Sequence, residues 1–259
     1  MISVLIPTIN NRAYLQLAVE FFERYTKTPY EILIYDNGSD YKTAEYIAKL
    51  PHQSIRSEIN RGVCKAYNEL AKIAKGDYFL FWDDDKLALP DWDIHLIPLV
   101  QQEGQYGWKS LVEIWPYNTN PCSLQGNYGR TPSEFQEKIL LEDLKLLSFP
   151  RKISLAVSQV MTRDLFEALH GYDEDFYPGF GSDPDIMWRA FCFLNKDTSK
   201  FLNANQSFYY HFTSSTTNRL YNKKLINYGL RIYGHSLFRL KHGFWAKEIY
   251  NRTGHGALV

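Results

Sequence analysis

Three consecutive carboxylates, Asp83, Asp84 and Asp85, directly follow the apolar segment 78–82 (YFLFW). Like charges at the end of an apolar strand repel one another and are partly removed from water, so their charged forms become costly. A divalent cation relieves both problems, and carboxylate oxygens suit Mg²⁺ and Mn²⁺, which keep further positions for diphosphate oxygens. The triplet therefore predicts a metal site, with a solvated acidic turn as the alternative interpretation.

The elements that must position the triplet alternate between strand and helix patterns. Apolar, β-branched segments occur at 2–6, 31–35 and 78–82, with a weaker one at 54–58. The segments between them place apolar residues three and four apart, which is the spacing of one helix face. This alternation predicts a parallel sheet with helices on both faces.

Polar residues follow two more of the predicted strands. Pro7 and Thr8 come after the first strand, and Asp36 comes after the second. Ligands bind beyond the carboxyl ends of the strands in such sheets, where these residues and the acidic triplet would meet. The pairing of the triplet with Asp36 favours a metal site over an acidic turn.

The second half of the chain is less regular. A polar loop rich in Asn, Gly, Pro and Ser spans 117–133, a length typical of functional or mobile loops. The chain looks helical and cationic from about residue 218. The remaining predicted elements are strands at 109–115, 153–161 and 207–211 and helices at 134–147, 163–170 and 184–194.

Composition argues against several classes of protein. The 259 residues include 29 Lys and Arg and 29 Asp and Glu, and zero formal net charge argues against a nucleic-acid partner. Cys64, Cys122 and Cys192 are widely separated, which argues against a disulfide framework and a zinc site. An aromatic share of 16% suits either sugar-stacking surfaces or an aromatic-rich core.

Targeting signals are not evident in the sequence. It begins with an apolar strand pattern that lacks a basic n-region and a long apolar h-region, so no signal peptide is predicted. Apolar runs stay below the roughly 18–20 residues of a membrane helix. These observations predict a cytoplasmic protein, in which the N-x-S/T matches at Asn205 and Asn251 are chance occurrences.

Several blocks resemble one known family. SVLIPTINNRAYLQLAVEFFERYT, EILIYDNGSD and NRGVCKAYNELAKIAKGDYFLFWDDD resemble, in order and spacing, the N-terminal half of glycosyltransferase family 2. Further on, ISLAVSQVMTRDLFEALHGYDEDFYPGFGSDPDIMWRA resembles the family's strand, helix and acidic stretch, so the resemblance covers about residues 2–215. It implies the GT-A fold, an α/β, Rossmann-like, mostly parallel sheet flanked by helices. The loop at 115–150 and the tail after 216 carry little of the resemblance, and the helical pattern of that tail adds a helical C-terminal extension.

The same resemblance implies a domain plan. Residues 1–217 would form the GT-A domain, with 1–105 as its nucleotide-binding half and 106–217 as its acceptor-binding half. Residues 218–259 would form the helical extension.

The resemblance also implies roles for individual residues on the donor side. Pro7 and Thr8 would line the nucleotide pocket, and Asp36 would hydrogen-bond the base. Arg61 would lie near the base or the diphosphate, and Asp83 would approach the ribose. Asp84 would belong to the same donor site.

On the metal and acceptor side, Asp85 and His211 would ligate the metal, Mn²⁺ or Mg²⁺. Asp183 would act as the catalytic base. The chain departs from the family where Ser182 replaces the usual Glu before the base and Pro184 follows it. Asp185 therefore remains the alternative base.

The implied reaction is inverting transfer of a sugar from a nucleotide diphosphate sugar, with a UDP-sugar favoured, to a hydroxyl of a glycan or glycoconjugate. A nucleotidyltransferase of sugar phosphates is one alternative, although such enzymes usually carry a Gly-rich, basic loop where this chain reads PTINNR. A non-catalytic sugar-binding relative is the other alternative.

Three further features have two interpretations each. The aromatic residues Trp115, Tyr117, Tyr128 and Tyr177 suit acceptor stacking or core packing, and the cluster 173–175 suits a solvated turn more than a second metal site. The C-terminal segment suits a helix that caps the domain or a peripheral contact with a membrane surface. Its cations are Arg219, Lys223, Lys224, Arg231, Arg239, Lys241 and Lys247.

Overall fold

A computed structural model describes residues 1–117, 120–155, 158–212 and 224–259. The boundary expected at 217–218, together with Arg219 and Lys223, lies outside the described residues.

The first half of the chain forms parallel strands joined by helices, as the sequence predicted. The parallel strand β1 lies between β2 and β4, and β3 pairs in parallel with β2 at the edge. The elements are β1 (Ile2–Thr8), α1 (Arg12–Tyr25), β2 (Tyr30–Asn37), α2 (Tyr41–Ala48), β3 (Gln53–Ser57), α3 (Val63–Ile73) and β4 (Tyr78–Phe81).

The second half completes the sheet and adds helices. Its elements are β5 (Lys86–Ala88), α4 (Trp92–Gln102), β6 (Trp108–Trp115), β7 (Ser123–Gln125), α5 (Glu137–Leu144), β8 (Gln159–Thr162), α6 (Arg163–Ala168), α7 (Ser182–Phe193), β9 (Asn203–His211), α8 (Lys224–His242) and α9 (Ile249–Thr253). The strand order is β3-β2-β1-β4-β8-β6-β9-β5, with β7 beside β6. Among the described strands, five of eight pairs are parallel, and three are antiparallel.

Two apolar layers hold this mixed α/β sheet between its helices. On β1, Leu5 points into one layer while Val4 and Ile6 point into the other, because successive strand residues face opposite sides of a sheet. The first layer packs under α3, α6 and α7, and the second under α1 and α4. Apolar packing on both faces therefore holds the ends of the strands in place.

Helix α8, in the C-terminal segment, packs onto the first apolar layer. Phe238 is fully buried in the first apolar layer, and Phe244 just after the helix joins it there. Within the described residues, we find no helix with both the length and the apolar character needed to cross a bilayer.

Candidate active site

A cleft of about 460 Å³ opens at the carboxyl ends of β1 and β4. Residues 178–183, which lead into α7, the end of β9 and one face of α8 form its other walls. Seven residues singled out from the sequence line it: Pro7, Thr8, Asp83, Asp84, Asp85, Asp183 and His211.

Asp84 connects the acidic triplet to β1. Its carboxylate accepts hydrogen bonds from Oγ1 of Thr8 at 2.6 Å and from Nδ2 of Asn11 at 2.7 Å. Burial, reinforced by the neighbouring charge of Asp85, raises the pKa of Asp84 to about 7 even though both hydrogen bonds lower it. The side chain therefore fixes the triplet against the first strand.

A lysine of the chain pairs with the triplet. Nζ of Lys86 lies 2.6 Å from Oδ2 of Asp83 and donates to Oγ of Ser158 at 2.8 Å. Lys86 therefore offsets part of the negative charge at Asp83, and the divalent-metal site predicted at the triplet stays a prediction. The chain supplies a buried cation there, because β5 begins directly after the triplet and its first residue, Lys86, is buried against Asp83.

Asp85 meets His211 because β5 and β9 pair antiparallel, with Lys86 opposite His211. Nε2 of His211 lies 3.4 Å from Oδ1 of Asp85, and its Nδ1 lies 2.6 Å from Oε1 of Glu113. Burial alone would lower the pKa of His211, but the two carboxylates outweigh it and raise the pKa to about 9. Glu113 thereby fixes the ring with Nε2 directed at Asp85.

Asp183 stands in the first turn of α7, after the left-handed N-cap residue Gly181. Burial, with a smaller contribution from the charge of Asp83, raises the pKa of Asp183 to about 7. A carboxylate with such a pKa is matched to proton transfer near neutral pH.

Asp185, the alternative base, lies outside the described lining of the cleft. Both of its oxygens have partners outside the cleft lining. Oδ2 of Asp185 lies 2.8 Å from Nε of Arg189 and 2.7 Å from Nη2 of the same guanidinium group. Nε2 of His242 lies 2.8 Å from its other oxygen. Two residues apart on a helix, Asp183 and Asp185 face different directions, and the arrangement favours Asp183.

Two predicted donor-site residues are also not brought to the described lining of the cleft. Asp36 is buried, accepts a hydrogen bond from the backbone N of Ser39 at 2.9 Å and forms an ion pair with Arg56. The β2–β3 register places Arg56 directly opposite Asp36, which explains the pair. The side chain of Arg61 is exposed, and Asn37 lines the cleft at the end of β2 instead.

Comparison with known proteins decides the family. The model of "Glycosyl transferase family 2" matches residues 3–156, which is more than half of the chain. The chain belongs to glycosyltransferase family 2.

Curated relatives of this family 2 chain are partial matches. A Haemophilus influenzae protein named "Uncharacterized glycosyltransferase" is 29% identical over 186 residues, which cover 67% of this chain and 60% of that protein. A Pasteurella multocida chondroitin synthase is 34% identical over 95 residues, 35% of this chain and 10% of the synthase. The chain thus spans about 60% of the length of the first relative and much less of the second.

Solved structures confirm the fold. GalNAc-T7, crystallised with UDP, GalNAc and Mn²⁺, aligns with a TM-score of 0.62 at 16% identity over 100% of this chain and 58% of that one. S. aureus TarS 1–349 in complex with UDP aligns with a TM-score of 0.57 at 14% identity over 97% of this chain and 74% of that one. The family 2 chain therefore has the predicted GT-A fold.

Sequence reasoning missed several residues that line the cleft or contact the residues that line it. Glu113 is a lone carboxylate within the apolar strand KSLVEIW, which is a readable signal, and Lys86 directly follows the triplet. Asn11, which donates to Asp84, and the cleft residues Arg231 and His235 of α8 gave weaker signals, because their positions depend on tertiary packing.

Proposed function

We propose that this chain transfers a sugar from a nucleotide diphosphate sugar, with a UDP-sugar favoured, to a hydroxyl of a glycan or glycoconjugate. One observation carries the proposal: the Asp85–His211 pair and the carboxylate of Asp183, with its pKa near 7, line the same cleft. Membership in family 2 supports the reaction class.

The nucleotide would occupy the first half of the domain, residues 1–105. Pro7, Thr8 and Asn37 form the wall at the ends of β1 and β2, and Asp83 is the half-exposed carboxylate at the cleft. Arg56 and Asp36 lie just behind that wall, where they would stiffen it. UDP is favoured because the structures of TarS and GalNAc-T7 that share this fold are UDP complexes.

Asp85 and His211 fit the protein side of a Mn²⁺ or Mg²⁺ site. No group of three potential ligands among the described residues could hold a metal alone. Two ligands nevertheless suit these ions, which proteins often bind through few side chains together with substrate phosphates. The buried Glu113 that holds His211 is the outer partner that metal-bound histidines typically have. When bound, the ion would neutralise charge on the departing diphosphate.

The acceptor would bind in the second half, residues 106–217, with its hydroxyl at Asp183. The carboxylate takes the hydroxyl proton as the hydroxyl oxygen attacks the anomeric carbon and the bond to the diphosphate breaks. Attack from the face opposite the diphosphate inverts the anomeric centre. A glycan acceptor is favoured because curated relatives are named as chondroitin and hyaluronan synthases.

The C-terminal segment, residues 218–259, would be an extension that caps the domain. The described part of α8 also exposes Ile226, Tyr228, Ile232 and Leu240 near its cations. A peripheral contact with a membrane surface through this helix is therefore part of the proposal. Co-sedimentation with anionic liposomes, compared between the natural protein and Ile232→Ser/Leu240→Ser, tests it.

The central experiment measures product release from UDP-, GDP- and dTDP-sugars with Mn²⁺. Release of nucleoside diphosphate supports glycosyl transfer. In a parallel assay with nucleoside triphosphates and a sugar 1-phosphate, release of pyrophosphate would indicate nucleotidyl transfer instead. Asp183→Asn should keep UDP binding and lose turnover. Asp164→Asn is the matched control, since Asp164 also stands in a first helical turn but lies on α6, at the surface.

A further inference from the structure

Helix α8 contributes one wall of the cleft. Arg231 and His235 both line it, and their spacing of four residues places them on one helix face. The guanidinium carbon of Arg231 lies 5.4 Å from the ring centroid of Phe180, three residues before Asp183. A cation and an aromatic ring thus line the same cleft as the proposed base.

Backbone contact brings α8 this close. A Cβ built on Gly234 would lie 2.0 Å from the carbonyl oxygen of Phe180, so the helix can approach only with glycine at this position. From the other side, a Cβ on Gly181 would lie 2.8 Å from the carbonyl oxygen of Gly234. The helix therefore rests directly on the turn that presents Asp183.

Contacts further along α8 hold it in this position. Nζ of Lys241 donates to Asp173 at 2.6 Å and to Asp175 at 2.8 Å, which gives the acidic cluster 173–175 an anchoring role. His242 pairs with the buried Asp185 on α7. Phe238, which lies between Gly234 and Lys241 in the sequence, is fully buried. Packing along the whole helix therefore sets the positions of Arg231 and His235.

We propose that α8 forms the acceptor-side wall, where Arg231, assisted by His235, binds an anionic group of the acceptor, a phosphate or a carboxylate. This inference rests on the proposed function. Asp183 marks where the acceptor hydroxyl lies, and Arg231 packs against the same turn, whereas the Asp85–His211 pair lies at the β5–β9 end. Guanidinium groups recognise phosphates and carboxylates through paired hydrogen bonds, and the Phe180 ring can stack on a sugar.

The first test uses three probes in the presence of UDP and Mn²⁺: methyl β-D-glucuronide, glucose 6-phosphate and the neutral methyl β-D-glucoside. At least one anionic probe should bind about tenfold more tightly than the neutral one, as measured by NMR titration, because a charge-assisted hydrogen bond is gained. Which anionic probe binds distinguishes a uronic-acid acceptor from a phosphorylated one. Arg231→Ala should remove the preference, and Arg231→Lys should restore part of it.

Arg239→Ala is the control, because Arg239 packs on Trp245, with its guanidinium carbon 4.6 Å from the ring centroid. That variant should keep the preference. Equal binding of all three probes by the natural protein would overturn the inference. So would an Arg231→Ala variant that weakens UDP–Mn²⁺ binding and leaves the probes unaffected, since Arg231 would then serve the donor diphosphate. If the natural protein binds none of UDP, GDP and dTDP with Mn²⁺, the proposed function itself fails.

A second test separates the helix position from the charge. Gly234→Ala should push α8 off the turn and abolish the anionic preference while UDP affinity stays within about twofold. A Cβ on Gly229, in the same helix, would meet no atom of the described residues within 4 Å, so Gly229→Ala should behave as the natural protein. A Gly234→Ala protein that melts normally and still prefers the anionic probe would contradict the role given to α8.

Discussion

Nζ of Lys86 lies 2.6 Å from Oδ2 of Asp83, and the lysine side chain is only 1% exposed whereas the aspartate is 47% exposed. A permanent cation is thus built beneath the acidic triplet. The positive charge of Lys86 also lowers the pKa of Asp183, against the larger effect of burial. The charge of Lys86 therefore acts on two carboxylates of the cleft, Asp83 and Asp183.

Replacing Lys86 should shift the pH dependence of the reaction. In Lys86→Met the opposing charge is lost, so the pKa of Asp183 rises and the acidic limb of kcat moves to higher pH. The midpoint should move up by about half a pH unit or more. Steady-state kcat measured between pH 5.5 and 9 at saturating donor checks this.

Lys109→Met is the matched control. Lys109 is likewise buried, and it pairs with Glu103 away from the cleft. Both substitutions break an ion pair and should lower the melting temperature, but only the Lys86 variant should shift the pH profile. An identical shift in both would show that the effect is a general consequence of destabilisation.

The raised pKa of Asp183 predicts the activity profile of the natural protein. Below about pH 7 the carboxyl is protonated and cannot accept the acceptor proton, so kcat should rise through a midpoint near 7. A flat profile down to pH 5 would mean that another group accepts the proton.

The same pKa predicts a cost in stability. The folded-state pKa lies above that of the unfolded chain, so the folded protein binds more protons, and stability falls as pH rises from about 4 to 7. Asp183→Asn removes the buried charge and should melt at least about 2 °C higher than the natural protein at pH 8, with the difference vanishing near pH 4. Differential scanning calorimetry at the two pH values measures it. A lower melting temperature at pH 8 would contradict this reading of the site.

Much of the fold and part of the cleft follow from local sequence patterns. The alternation of strand and helix in the first half predicted β1 to β4, and the position of the triplet after β4 and of Thr8 at the end of β1 predicted their convergence. Helix α4 was not predicted from the sequence, because Pro98 lies inside it and proline normally argues against a helix. Strand β5 has only three residues, too few to show a period.

The pairing of elements that are distant in the sequence could not be predicted from the sequence. The capture of Asp36 by Arg56 depends on the β2–β3 register, and the contact of Glu113 with His211 depends on β6 lying beside β9. Neither register follows from local pattern, because both are set by tertiary packing. The same holds for Gly234, whose role appears only once α8 meets the turn at Phe180.

Glu113 should matter for metal affinity more than for turnover. Glu113→Gln weakens the hold on Nδ1 of His211, so Mn²⁺ affinity in the presence of UDP should fall about 10- to 100-fold while kcat at saturating Mn²⁺ stays nearly unchanged. Electron paramagnetic resonance of free Mn²⁺ gives the affinity. Glu167→Gln, an exposed carboxylate on α6, is the control. Unchanged affinity in Glu113→Gln would remove His211 from the proposed metal site.

The hydroxyl of Thr8 should contribute both to the stability of the protein and to UDP binding. That hydroxyl donates to Asp84 at 2.6 Å inside the protein, so Thr8→Val keeps the shape of the side chain but leaves a buried carboxylate short of a donor. The loss should cost about 1–3 kcal/mol of the free energy of unfolding and weaken UDP binding, because the triplet is no longer fixed to β1. Thr8→Ser retains the hydroxyl and should recover most of both properties. Urea denaturation and calorimetric titration with UDP and Mn²⁺ measure them. If Val and Ser behave alike, the hydrogen bond to Asp84 does not position the triplet, and the cleft is organised by packing instead.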